Sequence, residues 1–347
     1  MALFVAGAAC ISPQPSFGDE GLVKWMRNTK RDPFPDTVRF KVLELRHERA
    51  YWVSINRIDR WGSPAEVFAT RVNRKRIRVS TTNVGELTLH LDRRQMRLAP
   101  ALTVELNGKE QAVEGTDQQE AKLTLAEPGK LCKRKGLCGP FSELLEHRFV
   151  LVYPSKGQPD DTDILKTPTG RFLIDWQAFS TGLARLKLDA QVDDADIAGA
   201  NLILFGTPAT NTFLARIADK LPIRFADGKY VVGKQSYPDS LGLIFIYPNP
   251  LNPDRMIAVC SGPHYGEKLP VNHKYDLIPD YVVYEAQPDS DDTNWWRCAG
   301  LFDSNWQLDE ALMETQGPAP PPPPQAEPAP PAVPGEQPAP EPVPAKP

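Results

Sequence analysis

The chain has 347 residues, of which 41% are hydrophobic and 24% charged, a composition typical of a soluble globular protein that buries a substantial core. Its formal net charge of -4 provides no general attraction to nucleic acid or to an acidic membrane surface, so no nucleic-acid partner is predicted. No stretch approaches the roughly 18 consecutive apolar residues that a membrane-spanning helix needs, so no transmembrane segment is predicted.

Residues 1–35 combine an apolar run with a short amphipathic helix. The run MALFVAGAAC resembles the hydrophobic part of an export signal but lacks a basic flank, and a former interior strand is the alternative. From Asp19 to Lys30 apolar residues recur at helical spacing, and Pro33 and Pro35 end the pattern. The segment therefore predicts a short helix that leads into the next domain.

Residues 36–130 contain a succession of short segments in which apolar and polar residues alternate. Turn sequences separate these segments, among them Asn83-Val84-Gly85 and the hairpin signal Asn107-Gly108. Such persistent alternation predicts an antiparallel, β-sandwich-like domain. The predicted strands are Val38–Val42, Ala50–Ile55, Ile77–Val79, Leu87–Leu91, Leu102–Leu106 and Leu123–Leu125.

The five cysteines show no pattern that is typical of a metal or thiol redox site. They are odd in number, and none shows Cys-x-x-Cys spacing, so no metal site is predicted. Cys132 and Cys138 flank a basic turn, where a disulfide in an exported protein and two reduced thiols are both open alternatives. The cysteines are Cys10, Cys132, Cys138, Cys260 and Cys298.

The pattern changes at residue 139, and residues 139–308 predict a small α/β domain with a mixed sheet. Continuous apolar runs over Phe149–Tyr153 and Asn201–Phe205 are typical of strands buried on both faces. Helices are predicted over Leu173–Leu183 and Thr210–Lys220, with a strand over Leu186–Val192 between them. Later segments predict an antiparallel extension of the same sheet, namely Tyr230–Val232, Leu243–Tyr247, Met256–Cys260 and Tyr281–Tyr284.

Residues 309–347 form a C-terminal segment of unusual composition. Fifteen of the last thirty-one residues are proline, which leaves too little apolar surface to offset the entropy of ordering. We therefore predict a disordered, extended Pro/Ala-rich tail. Two roles are open for this tail: it acts as a spacer, or its run Pro320–Pro324 contacts a partner.

Three sequence segments carry a family resemblance: LILFG at 202–206, LARIADKLPI at 214–223 and YPNPLNP at 247–253. With them, residues 19 to 308 resemble the C-terminal region of bacterial prolyl-oligopeptidase-like serine peptidases of the α/β-hydrolase superfamily. The peptidase domain of those proteins lies upstream of this region. The resemblance implies a non-catalytic accessory or interaction protein, with a hydrolase domain on another chain as its partner. It favours export, while a cytoplasmic location stays open because the first residues form no complete signal.

The catalytic pattern of that superfamily does not occur in the sequence. Its nucleophile elbow, Gly-x-Ser-x-Gly, is missing, and the stretch before the predicted Asp19–Lys30 helix contains no histidine. Ser261 and His264 are the remaining candidates for a hydrolase site, with Asp276 or Asp280 as the acid. Two alternatives to the accessory function therefore stay open: a serine hydrolase with an unrecognised site, and a stand-alone envelope ligand-binding protein.

The turn containing Gly206, Thr207, Thr210 and Asn211 joins a predicted buried strand to a helix. Free backbone amides and the helix dipole at the carboxyl end of a strand are typical of anion or small-ligand sites. The alternative is that the glycine satisfies turn geometry and Thr210 is an N-cap. Neither the phosphate-loop nor the dinucleotide fingerprint occurs, so no cofactor is predicted.

Overall fold

The computed structural model describes residues 19–113, 120–157, 163–266, 269, 271, 274–286 and 295–318. Within these residues the chain forms twenty β-strands in four sheets together with five α-helices, a mixed α and β structure. The eight-stranded sheet mixes parallel and antiparallel pairs, so the predicted fold class is confirmed. The helices are α1 (Asp19–Asn28), α2 (Phe141–Leu145), α3 (Pro168–Ser180), α4 (Asp194–Gly199) and α5 (Thr212–Ile217).

Two sheets form the N-terminal β part, and their inward side chains make one hydrophobic core. Alternate residues of these strands are buried, as the apolar alternation of the sequence requires. The five-stranded sheet has the order β1 (Thr37–Val42), β4 (Ala65–Asn73), β5 (Arg76–Thr82), β7 (Leu102–Leu106), β8 (Lys109–Val113). The four-stranded sheet has the order β2 (Arg49–Ala50), β3 (Val53–Ile58), β6 (Val84–His90), β9 (Glu120–Thr124).

The β part differs from the prediction in two respects. The segment Ala50–Ile55, predicted as one strand, is interrupted by a turn at Tyr51, whose φ of 53° is left-handed. Strands β5 and β7 pair in parallel, so the five-stranded sheet is not wholly antiparallel. Between β5 and β7 the chain crosses to the four-stranded sheet, where it forms β6, and then returns to the five-stranded sheet. This crossover allows β5 and β7 to run in the same direction as neighbours.

An eight-stranded mixed sheet forms the centre of the C-terminal part. Its first four strands are parallel to one another, and the last four continue it as an antiparallel meander. The order is β11 (Arg185–Leu188), β10 (Phe149–Tyr153), β12 (Asn201–Phe205), β17 (Asn252–Ser261), β16 (Gly242–Asn249), β18 (Tyr281–Glu285), β19 (Trp295–Phe302), β20 (Leu308–Thr315). A separate three-stranded sheet consists of β13 (Arg224–Ala226), β14 (Lys229–Val232) and β15 (Gln235–Pro238).

Some predicted element boundaries shift in this part. Helix α3 begins at Pro168 instead of Leu173, because the Thr167 side chain caps it by accepting a hydrogen bond from Gly170 N (3.3 Å). The predicted strand Leu186–Val192 ends at Leu188 and continues as a 3-10 turn. The segment Tyr230–Val232, predicted in the main sheet, lies in the separate three-stranded sheet.

Strand β20 runs to Thr315 and therefore extends into the segment that the sequence assigns to the tail. Its Leu312, together with Leu301 of β19, packs against the core of the N-terminal β part. The two hydrophobic cores thus meet beside these strands. At the same junction Ser304 Oγ accepts a hydrogen bond from Trp61 N (3.1 Å) and donates one to Asp59 O (2.6 Å).

The apolar run at residues 1–10 and the Pro-rich residues beyond 318 lie outside the described residues. The export-signal and tail hypotheses therefore stay predictions. Of the helices in the described part of the chain, none has the length and apolar character needed to cross a bilayer.

Candidate functional site

The carboxyl ends of three neighbouring parallel strands, β10, β12 and β17, lie at one edge of the mixed sheet. Both groups of candidate residues from the sequence follow these ends: the Gly206 turn after β12, and Ser261 with His264 at the end of β17. A hydrogen bond from Gly206 N to Cys260 O (3.0 Å) joins the two segments. The structure therefore places the predicted site residues at the edge where α/β sheets most often bind ligands.

Ser261 and His264 have separate partners, although three positions separate them in the chain. Ser261 is 2% exposed, and its Oγ accepts a hydrogen bond from the Tyr230 hydroxyl (3.0 Å). His264 Nε2 lies 2.9 Å from Asp175 Oδ2. Among the described contacts, none is a hydrogen bond between the serine and the histidine, so the arrangement of a nucleophile beside its base is not formed.

The two acids suggested for a hydrolase site also lie elsewhere. Asp276 is exposed. Asp280 is buried, and its carboxyl group contacts Lys133 Nζ at the junction of the two cores. The acidic partner of His264 is instead Asp175 on helix α3.

Four side chains, Asp175, His264, Lys274 and Tyr275, form a polar cluster that we call the Asp175 cluster. All three partners converge on Asp175 Oδ2: His264 Nε2 at 2.9 Å, Lys274 Nζ at 2.5 Å and the Tyr275 hydroxyl at 2.9 Å. Lys274 Nζ also lies 2.9 Å from His264 Nε2. The side chains of Asp175, His264 and Lys274 are 14%, 8% and 2% exposed, so the cluster is largely withdrawn from water.

The protonation of the cluster follows from these contacts. Burial alone raises the pKa of Asp175, but hydrogen bonds from His264 and Lys274 and the lysine charge outweigh it, so the net pKa lies below its ordinary value. Burial, and then the neighbouring Asp175 carboxylate, raise the pKa of Tyr275 well above its ordinary value. At neutral pH the carboxylate is therefore ionised and the phenol protonated. A carboxylate with a lowered pKa is a weak base, so the cluster suits orientation better than proton abstraction.

A narrow cleft with about 20 Å³ of free space, room for about one water molecule, lies beside the Asp175 cluster, and His264 and Tyr275 form part of its wall. Burial raises the pKa of the Cys260 thiol to about 12, so this cysteine stays protonated and unreactive at neutral pH. The cleft therefore offers an aromatic surface with one polar end. Its apolar lining includes Phe172, Phe205, Ile244, Tyr265 and Tyr284.

The Gly206 turn is tied together by its own side chains. Gly206 has a left-handed φ of 97°, and a Cβ there would lie 2.5 Å from Thr210 Oγ1. Thr210 Oγ1 in turn accepts a hydrogen bond from Thr207 N (3.0 Å). The N-cap of α5 is Asn211 and not Thr210, because Asn211 Oδ1 accepts a hydrogen bond from Leu214 N (2.9 Å).

The first amide groups of α5 are also occupied from within the chain. The Asp189 carboxylate, which is 3% exposed, accepts a hydrogen bond from Thr212 N. A carboxylate thus already lies where the anion-site hypothesis puts a bound anion. Ligand binding by Gly206, Thr207, Thr210 and Asn211 stays a prediction.

Of the two alternatives for Cys132 and Cys138, the structure shows the free thiols. Cys138 Sγ lies 3.2 Å from Glu143 Oε1, and burial together with that carboxylate raises the pKa of the thiol far above its ordinary value. Within the described ranges, no three His, Cys, Asp or Glu side chains are grouped so that they could hold a metal ion.

No pattern in the sequence points to Asp175, Lys274 or Tyr275 as site residues. Asp175 lies in the middle of a helix, and the other two lie in a loop about a hundred positions further along the chain. Comparisons with protein-family models, with curated proteins and with solved structures find no match to the chain. The resemblance to the C-terminal region of prolyl-oligopeptidase-like proteins therefore rests on its sequence segments and stays a prediction.

Proposed function

We propose that this chain is a non-catalytic accessory protein that docks onto a serine-hydrolase domain through helix α1. One observation carries the proposal: the large apolar side chains of α1 face solvent. Leu22, Val23, Trp25 and Met26 are 48%, 45%, 55% and 61% exposed. The two hydrophobic cores, in contrast, are formed without them.

The spacing of these residues favours a docking surface. Leu22, Trp25 and Met26 are three and four positions apart, so they lie on one face of the helix. A helix of only ten residues is marginally stable in water on its own, and a partner that covers this face would stabilise it. Covering Trp25 and Met26 would contribute about 1.5–3 kcal/mol each.

The resemblance in the sequence supports a serine-hydrolase domain with a Gly-x-Ser-x-Gly elbow as the occupant. In the proteins that the chain resembles, the peptidase lies upstream, and α1 is the first described element of this chain. A domain bound there would meet the N-terminal end of the described structure. We infer that the chain packs against that hydrolase and restricts access to it.

The contacts of Ser261 and His264 support the non-catalytic part of the proposal. Incubation with a fluorophosphonate probe tests it, with an active serine hydrolase labelled in parallel as the positive control. We expect no labelling of this chain, because Ser261 is buried against Tyr230 and has no histidine partner among the described residues. Labelling that Ser261→Ala abolishes would contradict the proposal.

Calorimetry tests the docking part. The partner is the serine hydrolase encoded immediately upstream, titrated with wild-type protein and with the double variant Trp25→Ser, Met26→Ser. Losing about 3 kcal/mol of apolar burial predicts a loss of affinity of about 100-fold. Leu183→Ser, at a residue that is 79% exposed but distant in sequence from α1, is the matched control and should bind like the wild type. Equal affinity of the double variant, or an upstream region without such a hydrolase, would refute docking through α1.

A further inference from the structure

Lys133 and Asp280 form a buried pair that the candidate site does not use. Their side chains are 0% and 1% exposed, and Lys133 Nζ directly contacts Asp280 Oδ2. Asp280 immediately precedes strand β18, and Lys133 lies in the segment between the β part and the mixed sheet. The pair therefore joins two distant positions of the chain where the two cores meet.

Aromatic rings and backbone groups enclose the pair. Lys133 Nζ lies 4.3 Å from the centre of the Trp61 ring and 4.9 Å from that of the Trp306 ring. Phe302 N donates a hydrogen bond of 2.8 Å to Asp280 Oδ2. The other oxygen, Asp280 Oδ1, has no hydrogen-bond partner in the described part of the chain. This enclosure keeps water away and holds the amine against one carboxyl group.

Ionisation in this place is unfavourable for both groups. Burial lowers the pKa of Lys133 below its ordinary value, although the Asp280 charge works against the change. Burial likewise raises the pKa of Asp280. Both pKa shifts favour a neutral Lys133 amine beside a neutral Asp280 carboxylic acid. A neutral amine is nucleophilic, and a protonated carboxyl group loses an oxygen more readily than a carboxylate.

We propose that Lys133 and Asp280 condense to form an intramolecular isopeptide bond. The lone pair of neutral Lys133 Nζ attacks Asp280 Cγ and forms a C–N bond. The Asp280 C–Oδ1 bond then breaks, and Oδ1 leaves as water with the carboxyl proton and one of the two amine protons. The other amine proton stays on the new amide nitrogen. No oxidant, reductant or other reactant is consumed.

The surrounding backbone suits each oxygen to its part in this step. The Phe302 amide that binds Oδ2 would stabilise negative charge on that oxygen during the attack, and Oδ2 becomes the amide carbonyl. Oδ1, which lacks a partner, is the oxygen that leaves. Gly139 makes room for it: a Cβ at this position would lie 2.2 Å from Oδ1, and its φ of 79° is left-handed. A larger residue at Gly139 would displace the carboxyl group.

Intact-mass spectrometry of the denatured wild-type protein tests the bond and does not depend on folding of any variant. We expect a mass about 18 Da below that of its sequence, the mass of one water molecule. Trypsin should then release a branched peptide in which Leu131–Arg134 is joined to Tyr275–Arg297 through Lys133 and Asp280. The branched peptide localises the loss and excludes dehydration elsewhere.

Two variants serve as controls. Lys133→Met and Asp280→Ala each remove one reactant, so each denatured protein should show the full mass of its own sequence. A wild-type mass equal to that of the sequence, with tryptic cleavage after Lys133, would overturn the proposal and leave a noncovalent pair. A mass loss that persists in either variant would also overturn it.

Discussion

Replacement of Asn211 by alanine tests how the carboxyl edge of the mixed sheet is held together. Asn211 is fully buried and makes two hydrogen bonds with backbone groups. Its Oδ1 accepts from Leu214 N at the start of α5, and its Nδ2 donates to Phe205 O at the end of β12, each at 2.9 Å. One side chain thus ties the helix to the strand that precedes it.

The expected cost of Asn211→Ala follows from these two bonds. Loss of an N-cap costs about 1 kcal/mol, and a buried backbone carbonyl left without a partner costs about 1–3 kcal/mol. We therefore expect the free energy of unfolding to fall by about 2–4 kcal/mol. Thr210→Ala should cost only about 1 kcal/mol, because Thr210 is partly exposed and its Oγ1 makes only local bonds, accepting from Thr207 N and donating to Thr207 O.

Urea unfolding of the two variants and the wild type measures the difference. Asn211→Asp is an informative third variant, because it keeps the capping oxygen but loses the donor to Phe205 O. It should be destabilised even though aspartate is as good an N-cap as asparagine. If Thr210→Ala cost as much as Asn211→Ala, the assignment of the cap to Asn211 would be wrong.

Three further predictions concern the core, the Asp175 cluster and the tail. Leu204→Ala, at a fully buried residue of β12, should lower the free energy of unfolding measured in urea by about 2–5 kcal/mol. Leu183→Ala, at an exposed position, should change it by less than about 0.5 kcal/mol. Equal effects of the two substitutions would contradict the sheet assignment. Asp175→Ala leaves the buried Lys274 without its carboxylate partner and should cost about 3–5 kcal/mol at pH 7. Folding lowers the pKa of Asp175, so the stabilisation from its ionised carboxylate is present above the unfolded pKa of about 3.9 and is lost as the pH falls through the folded pKa. The difference in unfolding free energy between the wild type and Asp175→Ala should therefore narrow below about pH 4. A difference that does not depend on pH would refute this. Limited proteolysis should remove the Pro-rich residues after about Gln316 without lowering the melting temperature of the remaining core, and a drop of many degrees would show that these residues are docked.

The central strands of the mixed sheet could be predicted from the sequence because burial on both faces leaves a continuous apolar run. Phe149–Tyr153 and Asn201–Phe205 are such runs, and both form strands at the predicted positions. Strand β14 shows the limit of this signal. Its apolar residues Tyr230 and Val232 are buried, as in any sheet, but periodicity does not say which sheet a strand joins.

The end of the mixed sheet was harder to predict for a different reason. Strand β20 has the sequence LDEALMET, and all eight of its residues are exposed or only partly buried, so it lacks the apolar pattern of the central strands. It forms a strand because β19 offers a free edge for pairing. A strand that is held mainly by backbone hydrogen bonds at a sheet edge is hard to recognise from its amino-acid composition.

The candidate site was predicted only in part, because contacts distant in the chain decide it. His264 was singled out, but its partners Asp175 and Lys274 are brought to it by helix α3 and by a loop. The sequence leaves Thr210 open as the N-cap of α5, because threonine and asparagine both serve as caps and are neighbours at positions 210 and 211. The Asp189 carboxylate, contributed from another turn, fixes where the helix begins.

The most direct test of the proposed function is the affinity of this chain for the serine hydrolase encoded immediately upstream, measured by calorimetry with and without the apolar face of α1. The account predicts binding by the wild-type protein and a loss of about 100-fold in the Trp25→Ser, Met26→Ser variant. It also predicts unchanged affinity in the Leu183→Ser control. Undetectable binding by the wild type, or equal affinity of wild type and double variant, would contradict it.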